Sequence, residues 1–501
     1  MSINAIFNAA STSLAVQRMA LDVTSENIAN VNTEGYSRQR VIMGTAPASS
    51  HNGFPLGSGV FVSAVQRIYD DVLNKQISDG NSSLGSSDSK LKSLQQLEPY
   101  LNEISGNSLG DAMQGLADAW QALSLNPAGI AERQTVMGRA AILTDTFHQI
   151  NGNIQNVQSY TDLNITAVAT DITSKAKEIA NLNIQILTTE QATGNANELR
   201  DRRDLLILQI TKQAAVTSSE QANGMVNVNL LGGESLVSGT QYATLYTNAA
   251  GPPVTQNTIL ITATGNPPPA SDPAADTDVT ATIGGSNNSR GEIGGLLYVR
   301  DTSMPAYIAK LDELAYNLAY QTNEQHAAGW NLNYNTGQTF FSPAAGSSVP
   351  PAAAADYAGY SASITLAKKV NNPLIDIDTN DIAAADTNPA TGGIGNNKNA
   401  LKLSDLASTA VAFSGGVMST TSAYYSSLVA SVGVDLQSLK NLSAQNEAFV
   451  RQLNNLREST SGVSLDEELT NLIKYQKAFE GAARVVNTAT QMLDTVLNMI
   501  R

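Results

Sequence analysis

Three histidines, His51, His148 and His326, are the first residues to weigh for chemistry in a chain that has no cysteine. They stand far apart, and none is paired at the spacing that an imidazole-bound metal requires. His326 is a candidate general base, but spacing fixes no nucleophile or carboxylate beside it, which favours a hydrogen-bonded structural histidine. Asp376, Asp378 and Asp381 resemble part of a calcium loop, in which alternating carboxylates point at one hard cation. The central glycine and the twelfth-position glutamate are missing, so they read as solvated loop acids. Gly291-Glu292-Ile293-Gly294-Gly295 is glycine-rich but lacks the lysine and hydroxyl of a phosphate loop. A turn leading into the helix after Met304 is expected there. No H-E-x-x-H, P-loop, G-x-S-x-G or dinucleotide fingerprint occurs. Zero cysteines exclude disulfides, thiolate metal sites and cysteine nucleophiles. The expectation is a chain with no catalytic, cofactor-binding or metal-binding residues, and not an enzyme.

What these residues do must then be sought in the elements that carry them. Length, 501 residues, suggests about three domains. Hydrophobic residues make up 42%, enough for real cores. The charged fraction is 15%, below the roughly 25% of ordinary soluble proteins. With 44 acidic against 29 basic residues the net charge is −15, which argues against nucleic acid as a partner. No apolar run approaches the ~18 residues of a membrane span, so no membrane insertion is expected. The first basic residue is Arg18 and Met1 to Val16 is amphipathic, unlike a secretory signal. The chain either stays in the cytosol or leaves by a route that needs no cleaved signal.

The two ends are the most regular parts. Phe7, Leu14, Leu21 and Ile28 recur every seven residues, with Ile3, Ala10, Gln17, Thr24 and Val31 between them. This predicts a helix of ~42 Å that stops in the Asn30–Gly35 segment. At the far end Leu472, Phe479, Val486, Leu493 and Ile500 form one row, and Leu469, Gln476, Ala483, Thr490 and Leu497 the other. That helix is too apolar to stay single in water. Pairing of the two termini is expected, with a surplus apolar face left for intermolecular packing. The Phe7 and Leu472 rows are the candidate assembly interface.

Between the ends, 86–125, 133–187, 197–212, 310–325 and 424–458 read as helices. Met225 to Leu230 alternates apolar and polar residues before Gly232-Gly233, and Tyr242–Leu245, Ile259–Ala263 and Val279–Ile283 read as further short strands. The fold class is mainly α with a β-rich insertion, nested in sequence. A terminal coiled-coil base is expected from 1–75 and 462–501. A helical body follows from 76–215, 290–335 and 404–461, and an outer β-rich domain from 216–289 and 336–403.

Leu14-Ala15-Val16-Gln17 together with Ser25 through Gln39, which includes Asn27, Asn30, Asn32, Gly35 and Tyr36, strongly resembles the N-terminal signature of bacterial flagellar axial proteins. These are the rod, hook and hook-associated proteins. Gly57-Ser58-Gly59-Val60 matches the family's next segment, and Ser461 to Glu468 with the helix to Ile500 looks like its C-terminal domain. Asn197 to Asp204, Gly294 to Leu297 with Arg300-Asp301, and Asn323 to His326 with Phe340-Phe341 are similar to the hook-associated branch. Glu34 departs from the family's usual proline, Ser13 stands where glycine is common, and 342–361 has no counterpart.

The resemblance implies a structural protein that joins hook to filament by self-assembly into a tubular ring. It would be exported unfolded and signal-free to the extracellular flagellum. Its partners would be copies of itself, the hook protein, the next hook-associated junction protein on the filament side and an export chaperone. Asn27, Asn30, Asn32 and Gly35 would close the first helix and direct the chain outward. The nearest rival is a filament or hook subunit, and rivals of another class are an enzyme or adhesin domain carried on a polymerising base.

Overall fold

The computed structural model describes residues 3–47, 49–51, 54–101, 108–249, 256–284, 290–342, 357–369 and 372–499. The chain starts with helix α1 (Ile3–Ala29) and a two-stranded antiparallel hairpin, β1 (Gln39–Thr45) with β4 (Val60–Arg67). At the far end of that hairpin β2 (Ser49–His51) pairs with β3 (Phe54–Leu56). The long helices follow: α2 (Asp71–Leu101), α3 (Leu109–Leu125), α4 (Ile130–Thr193) and α5 (Asn197–Gln213).

Helix α4, 64 residues and about 96 Å at 1.5 Å per residue, is the shaft of the molecule. Its apolar residues alternate three and four apart, which keeps one stripe facing inward. The first half of that stripe, Val136, Leu143, Phe147, Ile150, Ile154 and Val157, lies in one core with α3. The second half, Ile165, Ala169, Ile172, Ala176, Ile179 and Ala180, lies in a separate core. That core is closed by a four-stranded sheet of β5 (Val216–Glu220), β6 (Val226–Leu230), β7 (Ser235–Ser238) and β8 (Gln241–Tyr242), in that order. A three-stranded sheet of β9 (Leu245–Asn248), β10 (Thr258–Ile261) and β11 (Thr277–Asp278) joins it. Asn183, within the α4 stripe, donates to Val226 O and Gly239 O and accepts from Val226 N, pinning the sheet to the shaft.

Two local expectations are corrected here. The segment expected as a strand at Val279–Ile283 is mostly α6 (Thr280–Gly284). The Asp278 carboxylate accepts the Thr280 amide, and Val279 and Ile283 are buried four residues apart, which is helical rather than strand spacing. The glycine-rich 291–295 segment, expected as a turn, is α7 (Gly291–Tyr298). Its glycines serve close packing: a Cβ on Gly295 would stand 2.1 Å from Ser89 Oγ of α2. Only Gly291, at φ +71, is in the left-handed region, and it abuts the Ala214 backbone.

A single π-turn, Val299–Ser303, carries α7 into α8 (Met304–Ala327). The fully buried Arg300 there is paired with Asp162 of α4 at 2.6 Å and with Asp301. The rest of the first core comes from β12 (Phe341–Ser342) paired with β13 (Thr365–Leu366) and from α9 (Tyr360–Ser363), and β14 (Lys368–Lys369) pairs with β15 (Asn372–Asp376) between the core residues Ala367 and Ile377. After the short α10 (Pro389–Gly392), helix α11 (Lys398–Asp405) and the hairpin of β16 (Val411–Phe413) and β17 (Val417–Ser419) complete it. The strands of 216–284 and those of 341–376 share no sheet among the described residues, and their apolar residues enter different cores.

The chain ends on α12 (Thr421–Ser461) and α13 (Leu465–Met499). α12 runs along α2, where Leu453 meets Leu73 and Ile77 and Val450 covers Gly80. α2 itself begins at Asp71, directly after β4 and the short link that follows it. α13 returns to pack along α1. The result is mainly α with β-rich insertions, as the periodicities predicted. No helix among the described residues is long and apolar enough to cross a membrane.

Candidate functional site

The α1–α13 pair buries little of itself. On α1 the fully buried residues are Ala10, Val16, Ala20 and Val23, with Thr24 and Asn27: a row of small side chains that lets the helix lie close to its neighbours. The row of larger residues is placed differently. Leu14, Leu21 and Ile28 are half-buried and Phe7 is 41% exposed. On α13, Leu472 and Val486 are half-buried, Phe479 and Leu493 are each 36% exposed, and Ile500 lies outside the described residues. Only Glu468 and Ala489 of this helix are buried. Leu469, Ile473, Val485, Met492, Val496 and Leu497 add to the exposed apolar surface. Burying such side chains is worth about 1.5–3 kcal/mol each, so this face has a large unused association energy.

A polar joint connects this pair to the body. Asn27, in the last turns of α1, is 1% exposed. Its Nδ2 donates to Gln39 O at 2.9 Å and Glu468 Oε2 at 3.2 Å, and its Oδ1 accepts from Gln39 N and the Tyr36 hydroxyl, both at 2.9 Å. One amide thus ties α1 to the first residue of β1 and to α13. Asn30 donates to Glu26 O and accepts from Thr33, closing the helix, and Gly35 makes the turn at φ +83. The geometry brings Asn27, Asn30, Gly35 and Tyr36 together, while Asn32 is exposed.

Sequence reasoning did not single out the ionic half of this joint. Buried Glu468 accepts Arg38 Nε at 2.7 Å, and Arg38 also pairs with Glu467. Arg67 of β4 bridges Asp201 and Asp204 of α5, and Asp201 accepts the Ser37 amide at 3.0 Å. The available signal was charge pattern: three acids open α13, and α5 carries the block Asn197 to Asp204. Burial raises Asp201 above the usual carboxylate range despite the pull of Arg67. Burial also pushes Glu26 up to about 7, aided by its hydrogen bond to and repulsion from the Glu198 carboxyl. Burial raises the Tyr36 hydroxyl too, and Glu26 adds to that effect. Nothing in this arrangement is a nucleophile beside a base. It is a mechanical joint built of directed hydrogen bonds.

The other chemical candidates are placed elsewhere. His326 is fully buried between Trp120 and Phe340. Its Nε2 accepts the Ala383 amide at 2.9 Å, which leaves Nδ1–H to donate to Gln338 O at 2.6 Å. Burial lowers it to about 4, so the ring is neutral and structural. Asp376 pairs with Lys368, and Asp378 and Asp381 pair with Lys369. His148 is half-buried on α4 and His51 lies in β2. Among the described residues no group of three or more acids and histidines could hold a metal ion.

Family models match three stretches of the chain. They are the flagella basal body rod protein over 7–36, the flagellar hook-associated protein FlgK helical domain over 94–341, and the flagellar basal body rod FlgEFG protein C-terminal over 457–499. Flagellar hook-associated protein 1 of Bacillus subtilis (strain 168) is 29% identical over 520 residues, covering 97% of this chain and 96% of its own. Its counterpart in Escherichia coli (strain K12) is 27% identical over 569 residues, covering 99% and 100%. The structure of the flagellar hook junction protein FlgK from Burkholderia pseudomallei superposes with a TM-score of 0.61 at 19% identity, over 77% of this chain and all of that one. At that identity the likeness is one of fold.

Proposed function

The chain belongs to the flagellar hook-associated protein 1 family, and from that premise we propose that it joins the flagellar hook to the filament by polymerising through its terminal helices into a tubular ring. The observation that carries this reading is the apolar face of α13, exposed from Leu465 to Met499 although α1 already lies along the helix. A face of that size is costly in water and is covered when neighbouring copies lay their own α1 and α13 against it. The Asn27–Glu468–Arg38 joint then holds the helix pair at a set angle to the body, so that each copy adds in the same orientation. The hook protein lies on one side of the ring and the next hook-associated junction protein on the other, outside the cell. Before assembly an export chaperone shields the same α13 face. A chain without cysteine suits that route, because it passes unfolded without cross-linking. The reading assigns no catalytic step, cofactor or metal.

Deleting 1–31 or 469–501 tests it. Each truncated chain is expected to keep the fold of 130–461, while filaments detach from hooks in cells that carry it. Filaments that stay attached in either case overturn the reading.

A further inference from the structure

The exposed charges on the lower part of α12 are confined to one strip. Lys440, Glu447, Arg451 and Glu458 follow at spacings of seven, four and seven, which places them one above another on the helix. A second side, with Asn446, Val450 and Leu453, is spent on α2. Asp435, at the upper end, accepts the Tyr307 hydroxyl, and Arg457 lines the same cavity as the 30–37 turn. The remaining flank runs from Val434 to Ser459 and carries no charged residue. It presents Leu442, Gln445, Phe449, Gln452 and Leu456, all exposed, with the three apolar ones spaced by sevens. Depletion of charge with retained aromatic and aliphatic residues marks the centre of a protein interface rather than a solvated surface.

From this pattern we infer that the uncharged flank of α12 is a lateral contact surface for a second copy of this chain, an inference that rests on the ring-forming reading above. Charge identifies the occupant. A chain of net charge −15 repels its own copies over most of its surface, and a flank without charges is where two of them can approach. A partner of opposite charge would gain nothing from such a face. Size agrees. About 26 residues of helix give a strip of about 40 Å by 10 Å, or roughly 400 Å², about half of what one side of a stable interface buries. The contact is therefore too small to dimerise free chains. It closes between copies that the terminal helices already hold side by side, where the effective concentration is high.

Because the chain lacks cysteine, one introduced thiol is the only one present. Gln445→Cys and Gln452→Cys sit in the flank, and Arg451→Cys sits on the charged strip as the control. In the free full-length chain all three thiols should react with maleimide at similar rates. In isolated hook–filament preparations the two flank thiols should be slowed about tenfold or more, the change that about 1.4 kcal/mol of burial produces. Arg451→Cys should change little. A maleimide–benzophenone adduct at either flank thiol should cross-link to a product of twice the chain mass. Flank thiols that react freely in incorporated chains overturn the inference while leaving the ring reading intact. A cross-link to a protein of another mass also overturns it, since the occupant is then the hook, another junction protein or a chaperone. Failure of the unlabelled chain to appear at hook–filament junctions removes the ring reading and this contact with it.

Discussion

Two regions of this molecule use the same residue types at the same helical spacing and end in opposite states. In the body, the Val136 to Val157 stripe of α4 packs against α3 and α8 until its members are buried almost completely. In the terminal pair, Leu, Ile, Val and Phe on α13 recur just as regularly, yet Ile473 is 58% exposed and Leu497 56%. Periodicity states that a helix has an apolar side. It does not state whether the partner for that side is in the same chain. The body finds its partners in α2, α3, α8, α11 and α12 and in short strands that the chain itself supplies. The terminal pair supplies α1 alone, whose buried row is mostly alanine and valine, too small to cover both sides of α13. On the reading proposed above, the difference separates a region that folds by itself from one whose packing is completed by assembly.

The strongest way to break that comparison is to cut the two regions alike. Trp120→Ala removes a buried ring packed against Phe340 and His326 and should cost the monomer about 3–5 kcal/mol in denaturant unfolding. Ile473→Ala should cost under about 0.5 kcal/mol in the same measurement. Equal losses would mean that α13 is as fully packed in the monomer as the body.

Acid should sharpen the contrast further. His326 is held at about 4, below its ordinary 6.5, so it is neutral when folded. Above pH 6.5 neither state is protonated and the group contributes no pH dependence. Between 6.5 and 4 only the unfolded chain takes up the proton, so body stability should fall by up to about 3 kcal/mol. Glu26 in the joint has the opposite sign. Its folded value, about 7, lies above its ordinary 4.5, so its contribution is full below 4.5 and lost as pH rises through 7. Thermal unfolding from pH 7 to 4.5 should show the body weakening, while amide protection at the end of α1, measured against the exchange of an unstructured chain at the same pH, rises. His326→Gln should flatten the first trend and Glu26→Gln the second.

Asn27→Ala tests whether the joint belongs to either region. It deletes an amide that makes four hydrogen bonds to Gln39, Tyr36 and Glu468, and should cost about 2 kcal/mol. The loss should appear as faster amide exchange in α1 and α13 with the body transition unchanged. A uniform loss over the whole chain would make the joint part of the body's cooperative unit.

These contrasts also mark what was legible in the residues alone. Helix periods, the stop of α1 at the asparagine-rich turn and the alternation of β6 depend on neighbours within a few turns, and the sequence shows them directly. The row that α1 buries includes Ala10, Val16 and Ala20, which are less conspicuous in the sequence than Phe7 and Leu21. Close approach had selected the small residues. The helix at Gly291–Tyr298 was missed for a related reason: glycine is a poor helix former, and its use against Ser89 of α2 is visible only once the two helices cross. Arg38 and Glu468 are 430 positions apart, and nothing local could pair them. Arg67, the partner of Asp201 and Asp204 in the Asn197 to Asp204 block, is hidden for the same reason.

The smallest expected effect on the monomer is the most informative for the terminal pair. Ile473→Ser with Leu497→Ser exchanges two exposed apolar side chains for polar ones of lower volume. Neither is in the buried seam with α1, and unfolding of the monomer should shift by no more than about 0.5 kcal/mol. Their removal should raise solubility, because exposed apolar surface drives non-specific association. If α13 packs against neighbouring copies, the same pair deletes two buried contacts per subunit, each worth about 1.5–3 kcal/mol, and the loss repeats at every copy in the ring. Filament retention on hooks under shear, scored beside monomer stability, reads both quantities at once. Retention lost with stability unchanged places the function of these residues between chains. Stability lost in proportion would return α13 to the monomer's own core and erase the distinction between the two regions.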